Sequence, residues 1–462
     1  KGAAAGASDV PEELKPEVMT AFQRLWTGVV GPLLLLLPCP VLCYVFAFVT
    51  CSEQVHSPTL TGLFAYAAEH GISGFIKDAF QYGGLGSKEA WLFLFVFNFV
   101  ALLIYWWPGP VKYGPLTPTG HKPEYMDNGV AHCALFTFCF LGGAALGWYD
   151  LGIIYDVFGK TIGALNTFGL VFCLFLYVKG MTRPCTKDSG SSGFGFIFDY
   201  YWGAELYPRI YNVDVKKFVN CRFSMTFWML AGVSFAYRSY TLHRKVDPAI
   251  VLSAASQFIY LIKFFIWEMG YMRSIDIIVD RAGFYETWGC LVWVPSVYTL
   301  HTRVLVRSPS GLSWPAALVI FGIGVAGVLL NFWADTQRMM FREKDGKCKV
   351  WGKDPVFIKA QYHALNKETG KTETHQSLLL ASGWWGQARH LQYLFELTAA
   401  WSWGILGMGV NNGPLALFYA IFLTILLVDR SKRDEKKCLK KYGKYYEEYM
   451  KLVRYKIVPF VY

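Results

Sequence analysis

Charge is scarce in this 462-residue chain: 17% of its residues are Asp, Glu, Lys or Arg, against about 25% in a soluble globular protein. That composition excludes a disordered or acidic-tail protein. Disulfide architecture is missing too. The eleven cysteines are odd in number and form no C-x-x-C pair, and Cys39, Cys43, Cys133, Cys139, Cys173 and Cys290 lie in apolar stretches. A zinc finger, a redox dithiol and a secreted disulfide scaffold all fit poorly, and the cysteines read as reduced packing residues. The chain has no H-E-x-x-H, no Walker A sequence and no G-x-S-x-G, so metalloprotease, ATPase and hydrolase chemistry lose their usual support. Internal repeats and long low-complexity tracts are absent as well. What remains is 54% hydrophobic and 18% aromatic, with 44 Lys and Arg against 33 Asp and Glu. Such a basic excess can serve nucleic acid, but joined to this apolar content it points to a bilayer, and no nucleic-acid partner is expected.

The apolar runs set the fold class. A span needs roughly 20 mostly apolar residues, and candidates lie near 27–50, 90–107, 130–149, 161–179, 223–238, 249–267, 284–300, 313–333, 394–409 and 414–428. The chain therefore reads as an all-α polytopic membrane protein with about ten transmembrane helices. Aromatic stretches at 193–207 and 377–388 leave that count open by one or two. Asn411-Asn412-Gly413-Pro414 breaks the last long run, as a turn between antiparallel helices does. No cleavable signal peptide is visible, and the missing initiator Met points to a start upstream of Lys1.

Charge distribution supplies an orientation. Residues 429–462 carry eleven Lys/Arg and five Asp/Glu, and 334–376 carry nine against six. The positive-inside rule places both in the cytosol, and ten spans return the N-terminus there. The expected organisation is an N-terminal cytosolic segment (1–25), a transmembrane body (26–333), and a C-terminal region (334–462) with the last spans and a basic tail. Residues 187–193 and the polar part of 334–376 read as flexible.

Few motifs carry chemistry. Gly322-Ile323-Gly324-Val325-Ala326-Gly327 matches the dinucleotide fingerprint G-x-G-x-x-G, but it lies mid-span with no preceding strand, so close helix packing through small residues is the better account. Arg338 and Arg342 share a face if the preceding span continues as helix, a geometry suited to phosphate; snorkelling arginines would look the same. Leu380 opens a stretch through Ser382-Gly383-Trp384-Trp385-Gly386 and Arg389-His390 to Gln392-Tyr393. Its tandem Trp, Arg-His and Tyr can stack on a nicotinamide or adenine, or can form an interfacial aromatic belt. After the last span, Asp434, Cys438 and Lys441 fall on one helical face with Tyr442 adjacent, where a solvated lipid-surface charge run is the plainer alternative.

Together these residues carry a resemblance. S-G-W-W-G-x-x-R-H-x-x-Y (382–393) and R-D-E-x-x-C-x-x-K-Y-G-x-x-x-x-x-Y (433–449) resemble the sterol reductase family. That family holds the C14-, C24(28)- and Δ7-sterol reductases and the membrane domain of lamin B receptor. Tyr201–Ile210, Asn220–Phe223 and Asp280–Thr299 extend the likeness from about residue 115 to the end. After Arg-His the commonest family wording contains Asn and Gly-Asp. Here Leu391–Leu397 has Gln392 and Glu396 instead, as in the plant-like Δ7 branch, and Tyr446 replaces the usual Trp.

The resemblance implies a membrane enzyme of the endoplasmic reticulum that uses NADPH to reduce the C7–C8 double bond of 5,7-diene sterols. Carried over position by position, it implies cofactor contacts at Arg338, Arg342, Leu380, Trp385, Gln392, Tyr393, Asp434, Cys438, Lys441, Tyr442 and Tyr449. The C-terminal region becomes the NADPH-binding part, facing the cytosol. The substrate enters from the membrane lipid, and other sterol-biosynthesis enzymes are expected neighbours. Tyr260 aligns with a family tyrosine implied as proton donor; Asp434 and Glu268 are the other catalytic candidates, because ionisable groups in or beside spans are functional by default. Alternatives are a C14-sterol reductase, a non-catalytic sterol-binding scaffold, and an isoprenylcysteine methyltransferase-like enzyme.

Overall fold

A computed structural model describes residues 19–117, 119–365 and 372–462. The chain is built of helices, as its apolar runs require. Among the described residues six helices are long and apolar enough to cross a bilayer: Ala21–Cys51, Lys88–Tyr105, Phe158–Thr182, Pro248–Ile266, Trp314–Glu343 and Gly413–Tyr442. The other four expected spans are helical too, at Gly129–Ala145, Met225–His243, Phe284–Tyr298 and Leu391–Met408, but are shorter or more polar. Phe284–Tyr298 is wound as a π-helix with Pro295 inside it. Met225–His243 is an inner helix, burying Phe227, Trp228, Met229, Leu230 and Phe235.

Three expectations are corrected. The helix Leu60–Gly83, broken at Gly71 (φ 72°), was not foreseen, because Glu69, His70, Lys77 and Asp78 interrupt its apolar face. Residues 187–193 are fastened rather than flexible: Asp188 accepts hydrogen bonds from Thr117 (2.7 Å) and Thr119 (2.5 Å), and Ser191 donates to Asp199 (2.6 Å). The polar part of 334–376 holds an antiparallel hairpin, Phe357–Leu365 with Thr372–Leu380. Its Ala360 and Leu379 pack on Tyr446, Tyr449 and Val453 of the basic tail. Neither aromatic stretch spans: 193–207 contains the seven-residue helix Phe196–Trp202, and 377–388 contains a strand end and the turn Trp384–Gln387.

Two of the three glycines, Gly324 and Gly327, pack helices, while a Cβ on Gly322 would meet open space. A Cβ on Gly324 would lie 2.1 Å from Ser402 Oγ, and one on Gly327 would lie 2.8 Å from the Phe395 carbonyl oxygen. These close approaches press Trp314–Glu343 against Leu391–Met408, setting the two helices that carry most of the candidate site side by side.

Candidate functional site

One cavity of about 1180 Å³ opens among Pro248–Ile266, Phe284–Tyr298, Trp314–Glu343, Leu391–Met408 and Phe418–Tyr442, and its wall includes Tyr260, Arg338, Arg342, Gln392, Tyr393 and Asp434. Six expected site residues, far apart in sequence, thus share one space. The helix Trp314–Glu343 is 30 residues long, about 45 Å at 1.5 Å per residue. It is longer than a bilayer core is thick, and Arg338 and Arg342 lie in its last two turns.

At the mouth, the Arg338 guanidinium lies 3.7 Å over the Trp385 ring and 3.6 Å from Asp335. Trp385 does not line the cavity. It is buried, donates its indole N–H to the Ala334 carbonyl (2.8 Å), and serves as a platform beneath Arg338. Gly383 explains the turn before it: φ is +63°, and a Cβ there would strike Gln337, whose amide oxygen accepts from Trp384 N–H (2.9 Å). Tyr449 approaches the Trp385 carbonyl (3.5 Å), and Leu380 packs against Phe341, Val350 and Trp385. These two shape the platform from behind. Cys438 lies 3.8 Å from Asp434, while Lys441 sits 4.0 Å over Tyr362 of the hairpin and Tyr442 meets Ser377 (3.4 Å), outside the cavity wall. Arg389 is taken by the Val453 and Arg454 carbonyls and by Glu435 (2.8 Å), which ties down the tail.

His390 stacks on Tyr393 with ring centroids 5.1 Å apart and faces Asp434 at 3.7 Å. Burial pushes its imidazole down to about 4 despite that carboxylate, so it is neutral at pH 7. Across the mouth, Arg430 pairs with Asp276 at 3.1 Å.

Deeper in, the Tyr260 hydroxyl donates to Glu396 Oε1 at 2.8 Å. Its ring lies 5.5 Å from Trp228 and 5.3 Å from Trp403, and Tyr298 and Tyr419 complete an aromatic end. Lys263 donates to Asn331 (2.5 Å), which in turn donates to the Gln392 carbonyl (2.9 Å). Glu396 is the functional candidate that sequence reasoning missed. Its substitution was noticed, but its bond to Tyr260 spans 136 positions, and no local pattern reveals it.

Glu268 is the corrected candidate. It is fully buried against Arg222 and lies 3.5 Å from Lys217, while Arg222 also donates to Asn128 (2.7 Å). A carboxylate committed to two buried cations, outside the cavity wall, holds helices together and has no proton to deliver.

The cavity fits an anionic dinucleotide beside an apolar polycycle. Arginines stand at its mouth, aromatic rings line its depth, and Gln392 Oε1 is buried between them with no hydrogen-bond partner among the described residues. An idle amide oxygen there suits the N–H of a carboxamide.

A model of the ergosterol biosynthesis ERG4/ERG24 family matches residues 27–462. The chain is 40% identical to a 7-dehydrocholesterol reductase of Arabidopsis thaliana over 91% of its own length and 95% of that protein's. It is 31% identical to a 7-dehydrocholesterol reductase of Danio rerio, covering 99% and 97%, and 35% identical to a Delta(14)-sterol reductase of Methylotuvimicrobium alcaliphilum, covering 78% and 80%.

Proposed function

Taking as premise that this chain belongs to the ergosterol biosynthesis ERG4/ERG24 family and is a multi-pass membrane sterol reductase, we propose that it reduces the C7–C8 double bond of 5,7-diene sterols with NADPH. The observation that carries the reading is the Tyr260–Glu396 hydrogen bond inside a cavity whose mouth presents Arg338 and Arg342. Similarity along nearly the whole chain to 7-dehydrocholesterol reductases supports Δ7 over Δ14.

When bound, the reduced nicotinamide supplies the hydride. The chain's own residues do the rest. Arg338 and Arg342 hold phosphates, and Gln392 and Tyr393 orient the nicotinamide end. Reduction of an alkene needs a proton as well, and Tyr260, which shares the aromatic end of the cavity with Tyr298 and Tyr419, has its O–H held by Glu396. A proton delivered to C8 leaves an allylic cation shared by C7 and C5, and hydride at C7 gives the Δ5 product. Tyrosine is a weak acid with a reference pKa near 10, so water reaching the cavity restores the proton that Tyr260 gives up, and Glu396, which accepts the Tyr260 O–H, positions that hydroxyl. Asp434 borders the cavity beside His390, where its side-chain oxygens suit a ribose or carboxamide contact. On this reading residues 26–333 form much of the sterol pocket, 334–462 hold the dinucleotide, and the mouth faces the cytosol from the endoplasmic reticulum membrane. Purified protein offered a 5,7-diene and an 8,14-diene, each with NADPH or NADH, tests it. Turnover of the 5,7-diene with NADPH is expected; preference for the 8,14-diene would refute the regiochemistry, and equal use of NADH would refute the phosphate assignment.

A further inference from the structure

The reaction leaves unused a set of polar atoms in the loop between Pro248–Ile266 and Phe284–Tyr298. Asp280 and Ser274 both line the cavity, and Asp280 Oδ1 and Ser274 Oγ are buried without a hydrogen-bond partner among the described residues. Asp280 is 2% exposed. The cations that might have answered it are engaged elsewhere. Lys216 donates to the backbone carbonyls of Ile277 and Asp280 (both 2.7 Å), and Arg430 pairs with Asp276 (3.1 Å). Among the described residues no group of His, Cys, Asp and Glu is placed to hold a metal ion. A buried acceptor and an unpaired hydroxyl carried by one loop, both bordering a ligand cavity, call for ligand groups that donate and accept.

We propose that Asp280, in the loop that also carries Ser274, binds the 3-hydroxyl of the sterol. This assignment rests on the sterol reading above. Tyr260 lies six residues before the end of its helix at Ile266, about 9 Å along the axis, and Asp280 belongs to the loop that follows that end. The hydroxyl of a 5,7-diene sterol is on the first ring and the reacting bond is in the second. A sterol hung by its hydroxyl from the loop therefore presents its second ring towards Tyr260 and its side chain farther from the mouth. Sterols in a bilayer leaflet already hold the hydroxyl at the headgroup level, so one entering from the side need not turn over. Burial pushes the Asp280 carboxyl up to about 6, with Asp276 adding to the rise; either protonation state offers an acceptor.

The test compares a 3β-hydroxy-5,7-diene with its 3-deoxy analogue, binding each to full-length protein in nanodiscs. The wild type is expected to hold the alcohol about tenfold or more tighter, the worth of a hydrogen bond to a charged group. In Asp280→Ala the preference should shrink below about threefold, and Asp280→Asn, which keeps an acceptor, should recover most of it. Equal binding of the two ligands by the wild type would overturn the assignment whatever the variants do, as would an undiminished preference in Asp280→Ala. If the wild type bound neither ligand, the sterol reading itself would fail and this assignment with it.

Discussion

Arg338→Lys keeps the charge at the cavity mouth and removes the plane. In the wild type the guanidinium lies 3.7 Å over Trp385, and the side chain is 34% exposed. The stack therefore falls between the exposed and desolvated limits for such pairs, about 0.5–2 kcal/mol. A lysine also gives up the fork that meets two phosphate oxygens at once, and one net hydrogen bond is worth roughly 1 kcal/mol. The stack is made with or without NADPH and serves to orient the guanidinium, so the lost phosphate hydrogen bond sets the effect on binding, about a fivefold rise in the NADPH dissociation constant. Equilibrium dialysis with labelled NADPH measures it directly, and the side chain's partial exposure keeps the effect on folding small. Trp385→Phe should weaken binding in the same direction by less, because a smaller ring remains under the arginine. If Arg338→Lys bound NADPH within twofold of the wild type while Arg342→Ala lost tenfold or more, Arg338 would not be a phosphate ligand.

Other outcomes follow from the same geometry. Tyr260→Phe removes one hydroxyl and should cut turnover by about a hundredfold or more with NADPH affinity unchanged; normal turnover would return attention to Asp434. Glu396→Gln keeps an acceptor for the Tyr260 hydroxyl while Glu396→Ala removes it, so turnover should fall more in Glu396→Ala than in Glu396→Gln with NADPH affinity unchanged, whereas normal turnover in Glu396→Ala would show that Glu396 does not position Tyr260. Glu268→Ala strands Arg222 and Lys217 in the interior and should cost about 3–5 kcal/mol of stability; an unaltered denaturation midpoint would contradict the buried cluster.

Much of the fold was legible because apolar length is a local property. The expected spans from 27–50 to 414–428 all coincide with helices. The helix Leu60–Gly83 is hard to read because its apolar residues are interleaved with charge, and the hairpin at 357–380 because its second strand, Thr372–Leu380, runs from polar to apolar without alternating, although Ile358–Ala364 alternates. At the site, the motifs around Trp385 and Asp434 converge beside one cavity, with Asp434 on its wall and Trp385 supporting Arg338 rather than lining it. Glu268 misled because a buried carboxylate looks alike in sequence whether it is catalytic or paired with Arg222. Glu396 and Asp280 became visible only when distant segments met at one cavity.

The central claim is that hydride and proton arrive at neighbouring carbons of a 5,7-diene from two different sources. Incubating the protein with that sterol and NADPH deuterated at the transferable position, in ordinary water, and then repeating with ordinary NADPH in heavy water, separates the two. The account predicts a Δ5 sterol labelled at C7 in the first experiment and at C8 in the second. Recovery of unreacted 5,7-diene alongside consumption of an 8,14-diene, or label from the cofactor at C8, would contradict it.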